Sequence, residues 1–165
     1  MKYQTNPELG PYINLWGCDI CSILSKVEKK SGYTWSWTND QIVEVYKKGI
    51  LAKFIQEEVA NPDGSPLDGC DVEDYAGFYN LAAEYAGIKS VCVEMRFEDH
   101  LYEPLANEEE ILELKRANHA GSHFVAGNGN TSPTNLETEL EFDPIEGGSI
   151  TAAQGWIASK RILVF

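Results

Sequence analysis

The sequence predicts an α+β domain, with helices in its first half and antiparallel strands in its last third. Three observations carry that expectation. Ile20, Ile23, Leu24 and Val27 are apolar at helical spacing after Cys18. "TNDQIVEVYKKG" joins a capping box, Thr38 with Gln41, to the apolar stripe of Ile42, Val45 and Tyr46. "SHFVAGNGN", "TELEFDPI" and "SKRILVF" then read as strands, the first running into an Asn-Gly turn. A chain of 165 residues, 43% hydrophobic and 11% aromatic, suits one domain over 1–165.

The elements follow in order. Residues 1–17, punctuated by Pro7, Gly10, Pro11 and Gly17, read as irregular or extended. A helix is expected over 18–30, stopped by Gly32, and a second one from Thr38 to Gly49. "NPDGSPLDG" at 61–69 is a turn-rich loop. "DVEDYAGFYNLAAEYAG" reads as a third helix ending at Gly87, and "KSVCVEMRF" as a strand near 89–97. "NEEEILELKRAN" reads as a short helix, with "NEEEILE" its solvated face. Leu140 and Phe142 alternate with acidic residues, as in a half-buried strand.

A net charge of −13 and a pI near 4.5 argue against binding nucleic-acid backbones or anionic membranes. No run reaches transmembrane length and the first residues hold no apolar signal region, so a cytoplasmic location is expected. Thiols are then expected to be reduced at Cys18, Cys21, Cys70 and Cys92.

The chemistry centres on "NLWGCDICSIL". A redox pair at Cys18 and Cys21 would need a strand and a helix before it, as in thioredoxin-like folds, and the sequence offers neither. A zinc site would need a second pair of ligands, and Cys70, Cys92 and the histidines are scattered. Cys21 and Cys92 read as small apolar core residues. Cys18 differs, because it stands at the first turn of its helix. Unpaired N–H groups and the helix dipole there stabilise a thiolate or receive an oxyanion. A thiolate needs a base and something to orient it. Of three histidines, His100 lies among acids on a loop, while His119 and His123 lie in "NHAGSHFVAG" and His123 opens an apolar strand. Asp143 ends the next strand before Pro144, where it can fix the imidazole tautomer. Trp35 and Trp37 alternate at an edge, and Asp68, Asp71, Glu73 and Asp74 lack the spacing of an EF-hand.

These blocks, in this order, resemble the papain-like cysteine peptidases, most of all relatives of the bacteriocin-processing double-glycine peptidases. Small bacterial and phage families sharing that fold look similar too. "YINLWGCDICSIL" resembles the segment opening the nucleophile helix, "GSHFVAGNGN" the Gly-His-Phe-Val strand, and "LEFDPIEGG" the Asp-Pro-x-x-Gly segment. The likeness covers about a quarter of the chain and leaves 33–118 aside. It implies a papain-like fold with Cys18 as nucleophile, His123 as general base and Asp143 as orienting acid. It implies amide cleavage by acyl transfer on a peptide or peptidoglycan-like substrate, with no cofactor or metal. The family's Gln before the cysteine is missing. Asn14, four residues before Cys18, is the nearest amide to serve the oxyanion beside the Cys18 N–H. Asp19 replaces a small residue, and a carboxylate there opposes thiolate formation. The alternatives are the same fold used as a binding module without catalysis, and thiol redox chemistry at Cys18 and Cys21.

Overall fold

The computed structural model describes residues 3–117, 121–129, 140–145 and 155–165. The N-terminal segment is helical rather than irregular. A 3₁₀ turn at Pro7–Leu9 is capped by Asn6, and α1 follows at Pro11–Trp16. Each begins on a proline, whose missing N–H and fixed φ suit a first helical position; punctuation residues here start helices instead of interrupting them.

α2 spans Cys18–Lys30, as the spacing predicts. It is buried on almost every side, so even Ser22 and Lys26 are 0% exposed. Gly32 ends it at φ +64°, while the Tyr33 N–H reaches back to the Glu28 carbonyl. α3, Asn39–Leu51, opens on the expected capping box. Gly49 does not stop it. An added Cβ there would sit 2.7 Å from Ile55 Cδ1, so the glycine serves close packing. A small ribbon pairs β1 (Val59–Ala60) with β2 (Pro66–Asp68), so the second strand falls inside the loop expected at 61–69 and the turn itself is shorter. α4, Tyr75–Tyr85, is capped by the Asp74 side chain on the Gly77 N–H.

The sheet consists of β3 (Glu94–Glu98), β4 (Glu108–Arg116), β5 (Ser122–Gly127), β6 (Leu140–Phe142) and β7 (Gly155–Val164). Its spatial order is β3-β7-β4-β5-β6, antiparallel throughout. With helices leading and antiparallel strands closing, the chain is α+β. β3 starts later than expected. Cys92 precedes it, buried and held on both backbone sides by the Asn80 side chain.

β4 replaces the short helix expected at 107–118. Glu, Leu and Lys favour helices, but tertiary context overrides that preference. Glu108, Glu109 and Glu110 are 7%, 6% and 0% exposed, not solvated. Each is met by a cation: Glu108 by Arg96, Glu109 by Lys26, Lys29 and Lys30, and Glu110 by Lys160. Buried carboxylates persist only when paired and hydrogen-bonded. Lys26, wholly buried, also reaches Glu141 and the Gly127 carbonyl, tying α2 to β4, β5 and β6.

The main core gathers Ile20, Ile23, Leu24 and Val27 of α2, Phe78 and Tyr79 of α4, and Ile111 and Leu163 of the sheet. Trp37 joins it, donating its indole N–H to the Leu24 carbonyl and meeting Trp35 edge-on. A smaller cluster, Leu112, Leu114, Val125 and Ile157, forms a second apolar group.

Candidate active site

Gly17 joins α1 to α2, and the junction is tight. A Cβ on Gly17 would lie 2.5 Å from Ile13 Cγ2 and 2.6 Å from the Ile13 carbonyl oxygen. Only glycine allows α2 to begin where it does, with Cys18 as its first residue. Alongside α2 lies β5: the Ser22 hydroxyl donates to the Phe124 carbonyl at 3.1 Å. Cys18 therefore meets β5 at Phe124.

Cys18 is 8% exposed, and its thiol donates to the Trp16 carbonyl at 3.8 Å. Burial pushes that thiol up to about 12, and the Asp19 charge adds to the effect. Three backbone N–H groups, of Phe124, Asp19 and Cys18 itself, act the other way by facing the sulfur. The site thus holds N–H donors for a sulfur anion inside a desolvated setting that disfavours one.

His123 Nε2 lies 2.8 Å from Asp143 Oδ1. Asp143 Oδ1 also accepts the Ile145 N–H at 2.9 Å, which fixes the carboxylate on its turn. The structure therefore brings together the His123–Asp143 pair expected from the sequence. It leaves Nδ1 as the ring nitrogen not held by Asp143. Across β4 and β5, His123 faces Leu114 of the second cluster, while Phe124 faces Glu113. Alternation gives the two neighbours opposite faces of the sheet. Among the described residues no hydrogen bond joins Cys18 to His123.

Asn14 does not serve an oxyanion. Its side-chain nitrogen donates to the carbonyls of Gln4 (2.6 Å) and Asn6 (2.7 Å), so both N–H groups are occupied in holding the N-terminal turn. Gln4 is buried there as well. It donates its backbone N–H to the Pro144 carbonyl, beside Asp143, and its side-chain N–H to the Asn14 carbonyl. Sequence reading passed over Gln4 because it stands fourteen residues ahead of Cys18.

Next to Cys18 opens a cleft of about 460 Å³. Trp16, Phe97 and Phe124 supply apolar walls, and Asp19, Tyr75 and Arg161 supply polar ones. The Tyr75 hydroxyl donates to Asp19 Oδ2. Burial raises the Asp19 carboxyl to about 7, although the Tyr75 bond and Arg161 act to lower it. Arg161 sits between Phe97 and Phe124, 5.1 and 4.6 Å from their ring centres, and bonds Glu113 at 2.9 Å. Burial would raise Glu113, but hydrogen bonds from Ser122, Ser159 and Arg161 hold it down at about 2. Tyr75 and Arg161 carry no local sequence signal, because their roles arise from contacts 56 and 48 residues distant along the chain.

No family model, curated protein or solved structure matches this chain. The site has to be read from its own geometry.

Cys21 and Cys70 are fully buried, and burial pushes both thiols up. All four cysteines are free. Among the described residues no group of three or more His, Cys, Asp or Glu side chains could hold a metal ion, and no helix is long and apolar enough to cross a membrane. His119 lies outside the described residues.

Proposed function

We propose that this chain is a cysteine-dependent amide hydrolase of papain-like type, acting by acyl transfer through Cys18, His123 and Asp143. The observation that supports the reading is the His123–Asp143 pair, 2.8 Å apart, one residue along β5 from Phe124, whose backbone faces the Cys18 sulfur. His123 itself lies on the other face of β5 and does not line the cleft, so catalysis requires the imidazole to turn toward Cys18. In the mechanism, the Cys18 thiol gives its proton to His123 Nδ1, the ring nitrogen Asp143 does not hold, and the sulfur adds to the carbonyl carbon. Backbone N–H groups at the α2 N-terminus receive the oxyanion. As the C–N bond breaks, His123 returns that proton to the leaving amine. Water then adds to the thioester, giving its proton through His123 back to sulfur. Asp143 keeps the imidazole in one tautomer throughout. No step needs a metal or cofactor. A peptide or peptidoglycan-like amide is the substrate class.

The second reading is a papain-like scaffold that binds without catalysis. The thiol held at about 12, with no bond to His123, favours it. Labelling with a peptidyl acyloxymethyl ketone, resolved by site with mass spectrometry, separates the two. Catalysis predicts that Cys18 alone is labelled in the folded chain. His123→Ala should slow that by about a hundredfold or more, the usual worth of a general base, and Asp143→Ala by less. Labelling of Cys18 that is no faster than that of Cys92, or is indifferent to His123, leaves the binding scaffold.

A further inference from the structure

The cleft beside Cys18 holds a charge imbalance that its own side chains do not resolve. Asp19 is 7% exposed and lines the cavity. Tyr75 holds one carboxyl oxygen, but the other, Oδ1, is buried with no hydrogen-bond partner. A buried acceptor left unpaired is costly. Asp71 lines the same cavity. Its carboxyl is raised, first by desolvation and then by the charges of Asp68 and Glu73. The cation in the wall, Arg161, is already matched by Glu113 and held by Ser159. One of its donors, Nε, is likewise buried without an acceptor. The mouth is apolar, with Leu15 57% and Phe97 66% exposed.

We propose that this cleft takes the primary ammonium group of a peptide, with Asp19 as the residue that selects it. An ammonium donates to Asp19 Oδ1 and is attracted by Asp71, while a neighbouring peptide carbonyl suits the unpaired Arg161 N–H and the apolar rim takes aliphatic neighbours. The net charge of −13 favours encounter with such a cation. A bare metal ion fits less well, since no cluster of three ligating side chains occurs among the described residues. The bound group is a substrate only if the acyl-transfer reading holds; the binding itself does not depend on catalysis. An ammonium at Asp19 also offsets the carboxylate that opposes the Cys18 thiolate, so occupancy favours the reactive form of sulfur.

Calorimetry on the full chain, wild type and Cys18→Ala, tests this with paired probes. One pair is acetyl-Leu-Lys-Leu-amide and its Nε-acetyl-lysine analogue; the other is Ala-Leu-amide and its N-acetyl form. The amine-bearing member of one pair should bind at least about tenfold tighter, the worth of one charge-assisted hydrogen bond, and which pair responds tells a lysine side chain from a free N-terminus. Asp19→Asn should abolish the preference, and the exposed Asp71→Asn should weaken it about two- to threefold. If Asp19→Asn fails to fold, the wild-type pairs and Asp71→Asn decide alone. Equal binding within both pairs, no binding at millimolar concentration, or displacement by manganese in place of peptide overturns the proposal. Binding in Cys18→Ala without Cys18 labelling in wild type would keep this inference and remove the hydrolase.

Discussion

Asp19 couples the chemistry of the site to the stability of the fold. Its carboxyl lies at about 7 in the folded chain against a reference value of 3.8. Below the reference value it is protonated in folded and unfolded chains alike and opposes nothing. Between about pH 3.8 and 7 the unfolded chain gives up this proton while the folded chain keeps it, and stability falls, on the order of 4 kcal/mol across that window, levelling off once the folded carboxyl ionises. Thermal unfolding of the wild type should therefore weaken from pH 5 to pH 8, and Asp19→Asn should flatten the fall and be the more stable protein at pH 8. A variant that tracks the wild type at every pH would place the buried charge elsewhere. At this scale the place of Cys18 at the head of α2 and the His123–Asp143 contact were legible, because each residue stands at an element boundary marked by glycine or proline. Asn14 was misjudged, since proximity in sequence says nothing about what its amide already bonds. Tyr75 and Arg161 were silent, because a residue's partner across the fold leaves no mark beside it.

Among the elements, the α1–α2 junction sets the register of the site. Gly17→Ala would press a methyl group against the Ile13 backbone, which has little freedom to yield. It should cost about 1–3 kcal/mol by urea denaturation, the range for forced overpacking, and it should slow electrophile labelling of Cys18. Unchanged stability would mean the junction relaxes freely. α2 and α3 were readable because amphipathic spacing and a capping box are local signals. β4 was not. Three consecutive glutamates look like a solvated helix face until cations from α2, β3 and β7 are placed against them, and those cations lie as much as 83 residues away in sequence.

For the molecule as a whole, 26 acidic residues against 13 basic ones leave a strong self-repulsion. Many of the basic groups, among them Lys26, Lys160 and Arg161, are paired with glutamates inside the fold and leave the excess of acid uncompensated. Raising sodium chloride from about 20 to 200 mM should stabilise the chain by roughly 1 kcal/mol, or about 3 °C in midpoint; a lower midpoint with salt would show that paired charges outweigh repulsion. The α+β class was legible from the order of local patterns, whereas the strand order was not, because it depends on which distant strands share an apolar face.

That order has a consequence for how the chain is made. Among the described residues, β7 is the sole strand neighbour of β3 and one of the two neighbours of β4. While a ribosome is still translating the residues between β6 and β7, the helices can dock, but β3 has no strand to pair with and β4 shows one bare edge. Contacts across some 40–70 residues close slowly, and open edges are where nascent chains associate wrongly. The sheet is thus completed from its middle, by the last of its five described strands to leave the exit tunnel.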